Sequence, residues 1–306
     1  MFYTMTLNPA LDYNMTTGEF IKERVNRSVK EEIIPGGKGL MVSRMLKNLG
    51  VESTAFGLVA GFTGAELTRQ VHEFGVRTNF VSLPKGMTRI NVKLWGALEG
   101  EINATGPECD EKSLQAVLEK LSVLTSKDIL VLAGSVPASL PKDLYVTIMK
   151  QLREKSPRIV VDATGDLLRS VMPYGPFLVK PNHHELGELY NVTLETKEEV
   201  LPYAKKLREE GAKNVLVSMA GAGAVLAAED GSVWFGEAPK GQVVNTVGSG
   251  DSMVAGFLAK YEETKDPGKA FSNGIASGSA SAFSETLGTK EEVELLLQKV
   301  QIKRVE

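Results

Sequence analysis

Short apolar runs alternate with longer amphipathic segments along most of the chain. Three runs dominated by Ile, Leu and Val predict strands buried on both faces: 128–133, 158–162 and 214–218. Three segments with apolar residues at helical spacing predict helices that alternate with them: 114–124, 144–152 and 200–207. This alternation favours an α/β fold with a mostly parallel central sheet and helices on both of its faces.

Two segments have a different pattern, in which apolar and polar residues take turns. They cover 16–34 and 89–105, and in the second one Ile90 and Val92 alternate with Asn91 and Lys93. A period of two indicates strands with one exposed face, so we expect a small second sheet beside the buried one. The chain has neither an internal repeat nor a low-complexity linker, which favours one discontinuous domain over residues 1–306.

The composition limits the partners and the location that can be expected. With 306 residues, of which 42% are apolar, the chain can bury a large core. Its formal charge of −3 gives no reason to expect a nucleic acid or an anionic membrane as partner. The single cysteine, Cys109, cannot form an internal disulfide, and no apolar stretch is long enough to span a bilayer. We therefore expect a cytoplasmic protein.

A glycine-rich run, Asn-Thr-Val-Gly-Ser-Gly-Asp at 245–251, leads directly into an apolar segment with helical spacing. Free N–H groups at a helix N-terminus attract anions, and glycine lets a phosphate approach the backbone closely. The run therefore predicts an anion site at the start of a helix. Asp251 would repel a phosphate there unless it has a chemical role; the alternative is a carboxylate that caps the helix.

A second glycine cluster, Gly-Gly-Lys-Gly at 36–39, precedes a helical pattern that ends at Gly50. It is not a P-loop, because Lys38 is followed by Gly39 instead of Ser or Thr. The run at 248–250 is not a dinucleotide fingerprint, since Met253 stands where the third glycine belongs. Two turn-to-helix anion sites in one chain nevertheless favour a protein that handles phosphate groups.

Four motifs in a fixed order resemble the signatures of the ribokinase-like carbohydrate kinases. They are Gly-Gly-Lys-Gly at 36–39, Lys-Pro-Asn-His-His-Glu-Leu at 180–186, Ser-Met-Ala-Gly-Ala-Gly-Ala at 218–224 and the run at 245–251. Within that superfamily the chain is similar to the sugar-phosphate kinases, more closely to bacterial 1-phosphofructokinases than to tagatose-6-phosphate kinases. The runs that point to this branch are 6–12, 25–28 and 88–93. The resemblance spans nearly the whole chain and implies the ribokinase-like α/β fold.

The resemblance implies a phosphotransferase that uses ATP as donor. By it, Asp251 is the general base that takes the proton from the attacking sugar hydroxyl, and the anion hole consists of Gly248, Ser249 and Gly250. Phosphoryl transfer depends chiefly on positioning and electrostatic stabilisation, which the backbone N–H groups at 247–250 could supply. An ordinary Asp is ionised at neutral pH, so Asp251 needs no unusual pKa for this role.

For the nucleotide, the resemblance implies binding by Lys180, Asn182, Ser218, Gly221 and Gly223. Glu185 would act on Mg²⁺ through water, because hydrated magnesium needs few protein carboxylates. The alternatives are a solvated helix-start acid at Glu185 and a plain hairpin turn at 221–223. A zinc site at His183 and His184 is disfavoured, because the chain has only three histidines and one cysteine.

For the sugar phosphate, the resemblance implies that Asp12 receives sugar hydroxyls. The substrate and its phosphate would be held by Gly36, Gly37, Lys38, Gly39, Arg89 and Ser135, with help from Arg27. A solvated edge-strand charge is the alternative for Arg89. The chain departs from the family at Met41, where these kinases usually carry Asn two residues after Gly-Gly-Lys-Gly.

The expected reaction is transfer from ATP to the 6-hydroxyl of fructose 1-phosphate, giving fructose 1,6-bisphosphate. Tagatose-6-phosphate kinase and 6-phosphofructokinase activities are alternatives, as is a sensor that binds sugar phosphate or nucleotide without turnover. A dehydrogenase is disfavoured by the missing third glycine. The resemblance also implies a β lid over the sugar site, inserted at approximately 13–34 and 89–106. Such lids commonly mediate dimerisation, so we expect a homodimer through the lid.

Overall fold

The computed structural model describes residues 1–97 and 99–306; Leu98, inside the second expected lid segment, lies outside the described residues. The strands are β1 (Phe2–Thr6), β2 (Ala10–Thr17), β3 (Ser28–Gly36), β4 (Ser53–Ala60), β5 (Arg77–Thr78), β6 (Val81–Leu83), β7 (Arg89–Gly96), β8 (Gly100–Ile102), β9 (Ile129–Ala133), β10 (Arg158–Asp162), β11 (Leu178–Val179), β12 (Asn214–Ser218), β13 (Ala224–Ala227), β14 (Val233–Glu237) and β15 (Gln301–Arg304). The α-helices are α1 (Lys38–Asn48), α2 (Gly61–Glu73), α3 (Glu111–Leu121), α4 (Leu144–Gln151), α5 (Gly165–Val171), α6 (His183–Tyr190), α7 (Lys197–Glu209), α8 (Ser249–Thr264), α9 (Pro267–Ala282) and α10 (Lys290–Leu297).

The central sheet follows the order β15-β14-β13-β12-β11-β10-β9-β1-β4-β5, and β6 also pairs with β4. Pairing is parallel from β12 to β5. It is antiparallel from β12 through β13 and β14 to β15. The expected α/β class with a mostly parallel sheet is confirmed.

The helices cover both faces of this sheet. Along β9, Leu130 and Leu132 join the apolar cluster beneath α3 to α7, whereas Ile129 and Val131 join the cluster beneath α1, α8, α9 and α10. Side chains on both sides of one strand are therefore buried, as the continuous apolar runs predicted. Within residues 1–97 and 99–306, no helix combines the length and the apolar composition needed to cross a membrane.

Capping side chains determine where several helices begin. α3 starts at Glu111, three residues before the expected segment, because the Asp110 side chain accepts a hydrogen bond from the Ser113 N–H at 2.7 Å. α7 starts at Lys197 after a capping box between Thr196 and Glu199. Apolar periodicity locates the buried face of a helix, whereas polar residues before that face determine its first turn.

A second sheet of four strands has the order β3-β2-β7-β8. Its strands extend beyond the expected exposed segments, since β2 begins at Ala10 and β3 ends at Gly36. Asp12 on β2 lies directly opposite Asn91 on β7, and both side chains are buried. Residues of the alternate positions, such as Ile33 and Ile102, are exposed.

The two sheets meet at the carboxyl edge of the central one. β1, β9, β10, β11 and β12 run parallel and therefore end at the same edge. The chain leaves β1 at Thr6 and enters β2 at Ala10, which attaches the second sheet at that edge. A cleft between the two sheets follows from this connection.

The contact between α8 and α9 gives a test of the packing. A Cβ at Gly256 on α8 would lie 2.2 Å from Ser277 Oγ and 2.8 Å from the Asn273 carbonyl oxygen. Gly256→Ala would gain about 1 kcal/mol of helix propensity but lose about 1–3 kcal/mol by overpacking. We expect a net loss of stability, measured as a lower midpoint of urea unfolding.

The matched control is Gly18→Ala, because a Cβ at Gly18 meets no atom within 4 Å. We expect it to change the free energy of unfolding by less than about 0.5 kcal/mol. A Gly256→Ala variant that is as stable as the parent would contradict the close α8–α9 contact.

Candidate active site

The cleft between the two sheets has a volume of about 970 Å³. Many of the residues singled out in the sequence line it: Asp12, Gly37, Lys38, Arg89, Ser135, Glu185, Gly248 and Asp251. They come from the four-stranded sheet, from the loop after β9 and from three helix starts, so residues up to 239 positions apart in sequence (251 − 12) meet here. The cleft is the place where an anion and a polar substrate can be held together.

The glycine-rich run at 245–251 leads into α8, which has Gly248 as N-cap and begins at Ser249. Within the run, the Val247 N–H donates to Asn245 Oδ1 at 3.0 Å, and the Ser249 N–H donates to the Thr246 carbonyl at 3.2 Å. Two of the four backbone N–H groups at 247–250 that were expected to bind an anion, those of Val247 and Ser249, thus already have acceptors. The first-turn N–H groups that remain point out of the helix start, where they can receive an anion.

Asp251 lies in the first turn of α8 and is 8% exposed. The N-cap residue, Gly248, makes no side-chain capping hydrogen bond, and Asp251 is the acidic residue of the first turn. Burial, and then the neighbouring Asp162 carboxylate, raise the pKa of Asp251 to about 7 against the opposing effect of two lysines. The base role does not need this shift; it arises because two carboxylates are buried side by side.

Asp162 ends β10 and is 1% exposed. Its Oδ1 lies 3.1 Å from Lys38 Nζ and 3.8 Å from Lys180 Nζ. Burial acts to raise the pKa of Asp162, but the Lys180 and Lys38 ammonium groups outweigh it and hold that pKa below its usual range. Sequence reasoning missed this residue, although a carboxylate at the end of a buried strand was a usable signal.

Asp12 is held by two side chains from β7. Its Oδ1 accepts a hydrogen bond from Asn91 Nδ2 at 2.8 Å, and its Oδ2 lies 3.1 Å from Lys93 Nζ. Gly36 on β3 leaves room for this carboxylate, since a Cβ there would lie 2.5 Å from Asp12 Oδ2. Lys93 is 8% exposed, so the pair is buried on the face of the small sheet that lines the cleft. The structure thus fixes the orientation of Asp12 before any ligand binds.

The cations expected to hold the substrate phosphate have different surroundings. Arg89 Nε donates to the Asn8 carbonyl at 3.1 Å and Nη1 to the Ala104 carbonyl at 3.2 Å. Burial lowers the pKa of Arg89. Ser135 is exposed at the cleft wall, and Arg27 is exposed on the loop between β2 and β3, away from the cleft lining. Arg89 and Ser135 therefore face one space, which Arg27 does not reach in this conformation.

The start of α6 is fixed by a capping box. Asn182 Oδ1 accepts from the Glu185 N–H, and Glu185 Oε2 accepts from the Asn182 N–H, both at 2.8 Å. Glu185 also lines the cleft, and its other oxygen has no protein donor among the residues described. It is therefore a helix-start acid whose carboxylate still faces the cleft.

The remaining nucleotide candidates surround the ends of β11 and β12. Asn182 forms a parallel bridge with Ser218, which places the two motifs side by side. A Cβ at Gly250 would lie 3.2 Å from Lys180 Nζ, so Lys180 reaches the first turn of α8. Gly221 and Gly223 lie two residues apart in the turn between β12 and β13; Gly221 is exposed, whereas Gly223 is buried. This turn lies outside the lining of the large cleft.

The two adjacent histidines do not build a metal site. The His183 and His184 rings lie against each other at a tilt of 38°, with centroids 3.8 Å apart. Across the part of the chain that the structure describes, no three His, Cys, Asp or Glu side chains are grouped closely enough to hold a metal ion by themselves. An ion that is held mainly by water and ligand oxygens is compatible with this arrangement.

Known proteins are similar to this chain in sequence and in fold. The sequence matches the pfkB family carbohydrate kinase model over residues 5–293. It is 47% identical over 305 residues to a 1-phosphofructokinase of Bacillus subtilis, with 100% of each chain covered. It is 32% identical over 303 residues to a D-tagatose-1-phosphate kinase of Bacillus licheniformis, with 99% of each chain covered.

A solved structure with the same fold is phosphofructokinase-2 from Escherichia coli in complex with substrates and products. It is similar with a TM-score of 0.91 and 28% sequence identity, and the match covers 97% of this chain and 98% of that one. Sequence and fold comparisons therefore agree over nearly the full length.

The buried pair of Asp12 and Lys93 gives a stability test. Lys93→Met removes the ammonium and leaves the Asp12 carboxylate buried with Asn91 as its remaining partner. Breaking a buried ion pair from one side costs about 3 kcal/mol, so we expect a clear drop in the free energy of urea unfolding. Lys290→Met, which breaks an exposed pair with Glu294, should change it by less than about 1 kcal/mol. Equal losses in both variants would refute the buried pairing of Asp12.

Proposed function

We propose, since the chain belongs to the pfkB family of carbohydrate kinases, that it transfers the γ-phosphoryl group of ATP to the 6-hydroxyl of fructose 1-phosphate. The family establishes a phosphotransferase with a hydroxyl acceptor and confirms the resemblance found in the sequence. The observation that carries the proposal is the meeting of Asp251 and the α8 N-terminus with the fixed Asp12 carboxylate across one cleft. The identity to a 1-phosphofructokinase supports the choice of sugar phosphate.

Asp12 is the anchor for the sugar hydroxyls. Its two oxygens are oriented by Asn91 and Lys93, and each oxygen keeps a lone pair for a hydroxyl donor. A preorganised acceptor binds a polyol without first losing side-chain entropy. Gly36 and Gly37 let the sugar come close to the backbone of this corner, and Gly39 lies in the first turn of α1 behind it.

Arg89, Lys38 and Ser135 are the groups proposed to bind the substrate phosphate. Two carbonyls hold the Arg89 guanidinium in place, and its Nη2 has no acceptor among residues 1–97 and 99–306. A guanidinium fixed in this way can offer its remaining N–H groups to phosphate oxygens. Arg27 would join them only if the loop between β2 and β3 moved towards the cleft.

In the chemical step the sugar 6-oxygen bonds to the γ-phosphorus and the bond between that phosphorus and the β,γ-bridging oxygen breaks. The hydroxyl proton goes to Asp251, and ADP leaves. Free N–H groups of Gly248 and Gly250, with the Ser249 hydroxyl, would stabilise charge on the outer oxygens. The Ser249 Oγ is buried and has no hydrogen-bond partner within residues 1–97 and 99–306, which supports a role toward a ligand.

The nucleotide is proposed to bind along Lys180, Asn182, Ser218, Gly221 and Gly223. The adjacency of the 182 and 218 segments supports one continuous phosphate path toward the start of α8. Glu185 would hold Mg²⁺ through water, and its open oxygen at the cleft fits an ion with a largely intact hydration shell. When bound, Mg²⁺ supplies charge neutralisation at the nucleotide phosphates.

The four-stranded sheet is proposed to act as a lid and as the contact of a homodimer. Its face away from the cleft carries exposed apolar side chains, among them Ile33 and Ile102, which favours burial against another surface. The free thiol of Cys109 and the ATP requirement suit a cytoplasmic location.

Asp251→Asn tests the base. The amide keeps the size of the side chain but cannot accept the hydroxyl proton, so we expect kcat to fall by about 10²–10⁴ while both substrates still bind. Binding is checked by equilibrium titration, and turnover by ADP release. Asp266→Asn, which changes the N-cap of α9, should leave kcat unaltered. A kcat for Asp251→Asn within about threefold of the parent would exclude Asp251 as the base.

The substrate is tested by kcat/KM for four phosphosugars measured side by side. We expect fructose 1-phosphate to exceed tagatose 1-phosphate, tagatose 6-phosphate and fructose 6-phosphate by at least about tenfold, because a wrong phosphosugar leaves Asp12 or the phosphate cations unpaired. A preference for tagatose 1-phosphate would assign the activity named for the Bacillus licheniformis relative. A preference for either 6-phosphate would favour the remaining alternatives.

A further inference from the structure

Asp162 is a buried carboxylate to which the proposed reaction assigns no role. It ends β10 at the carboxyl edge of the sheet, and its side chain is 1% exposed. It also lines the cleft between Lys38 and Asp251. A carboxylate in such a place is costly to bury, so its neighbours must compensate for its charge.

Two ammonium groups supply that compensation, and they come from different elements. Lys38 begins α1, and Lys180 follows β11; their Nζ atoms lie 3.1 Å and 3.8 Å from the same Asp162 oxygen. The other oxygen, Oδ2, is buried and has no hydrogen-bond partner among the described residues. The Asp162 carboxylate is therefore stabilised by two ammonium groups, which it holds in the cleft, and not by hydrogen bonds from the backbone.

We propose that Asp162 is a positioning residue of the kinase reaction, whose carboxylate holds the Lys38 and Lys180 ammonium groups beside Asp251 at the place of phosphoryl transfer. This inference rests on the proposed function. Lys38 shows why such a residue is needed, because its side chain is 37% exposed and has several rotatable bonds. Without the anion, the ammonium would gain entropy by moving into solvent.

The position of Lys180 connects this cluster with the anion site. A Cβ at Gly250 would lie 3.2 Å from Lys180 Nζ, so the ammonium lies against the first turn of α8. Asp162 thus holds the Lys180 ammonium next to the proposed anion hole and the Lys38 ammonium near the start of α1. Both positions are fixed in the free protein, which is the arrangement that electrostatic catalysis requires.

The same carboxylate also affects the proposed base. After burial, Asp162 is the main cause of the raised pKa of Asp251, and Lys38 and Lys180 act in the opposite direction. A protonated Asp251 can donate a hydrogen bond to Asp162. Removing the Asp162 charge should therefore lower the pKa of Asp251, whereas removing the Lys38 charge should raise it.

The test compares the pH dependence of kcat/KM in the parent and in Asp162→Asn. The acid limb of the kcat/KM profile reports ionisation of the base in the free enzyme. Because all variants are measured with the same substrate, the titration of that substrate contributes equally to every profile. We expect the limb to move to lower pH by at least about one unit. We also expect the plateau kcat to fall at least about tenfold, because the lysines are no longer held.

Asp128→Asn is the matched control, because Asp128 is also a buried, paired carboxylate but lies beyond the opposite end of β9. A purely structural effect would lower activity in both variants without moving the acid limb. Lys38→Met provides an independent variant in case Asp162→Asn fails to fold, and its acid limb should move to higher pH. The double variant should be no worse than the poorer single one, since both changes disable the same ammonium.

Three results would overturn the proposal. They are an acid limb that stays in place in Asp162→Asn or in Lys38→Met, kcat losses that multiply in the double variant, and full recovery of Asp162→Asn by added Mg²⁺, which would make Asp162 a metal ligand. All profiles use the phosphosugar with the highest kcat/KM. A substrate other than fructose 1-phosphate would therefore contradict the proposed function and leave the role of Asp162 to be decided by the profiles.

Discussion

The arrangement of this cleft depends on one electrostatic constraint: two carboxylates, Asp162 and Asp251, are buried beside each other and need two lysines to be there. Either acid alone would be costly to bury, and together they repel. Lys38 and Lys180 make the pair tolerable, but they do not cancel the effect of burial and of Asp162, so the pKa of Asp251 stays raised. The result is a carboxylate that takes up a proton near neutral pH, which is a useful property in a general base.

The parallel sheet explains why these four groups can meet. Asp162 and Lys180 stand at or just after the carboxyl ends of neighbouring strands β10 and β11. Lys38 and Asp251 open α1 and α8, two helices that pack on the same face of the sheet. The small sheet adds the other wall, where Lys93 and Asn91 hold Asp12 in the same way that lysines hold Asp162. Both walls are thus built from buried acids with fixed partners.

Much of this could be predicted from the sequence, and what could not has a physical cause. The runs at 158–162 and 214–218 gave β10 and β12 because apolar patterning is local. The glycine-rich run located the start of α8 for the same reason. The pKa of Asp251 could not be predicted, since it arises from a residue 89 positions away that only the sheet brings close. Arg89 was expected to be free to bind phosphate. Its two hydrogen bonds to the backbone carbonyls of Asn8 and Ala104 could not be predicted, because these acceptors lie in other loops that only the fold brings close.

The most direct test of the whole account is a crystal structure with fructose 1-phosphate and a non-hydrolysable ATP analogue bound together. In that complex we expect the 6-oxygen of the sugar to lie within hydrogen-bond distance of the Asp251 carboxylate and in line with the γ-phosphorus, with the other sugar hydroxyls on Asp12. A complex in which the 6-oxygen faces away from Asp251, or in which the nucleotide phosphates do not reach the first turn of α8, would contradict it.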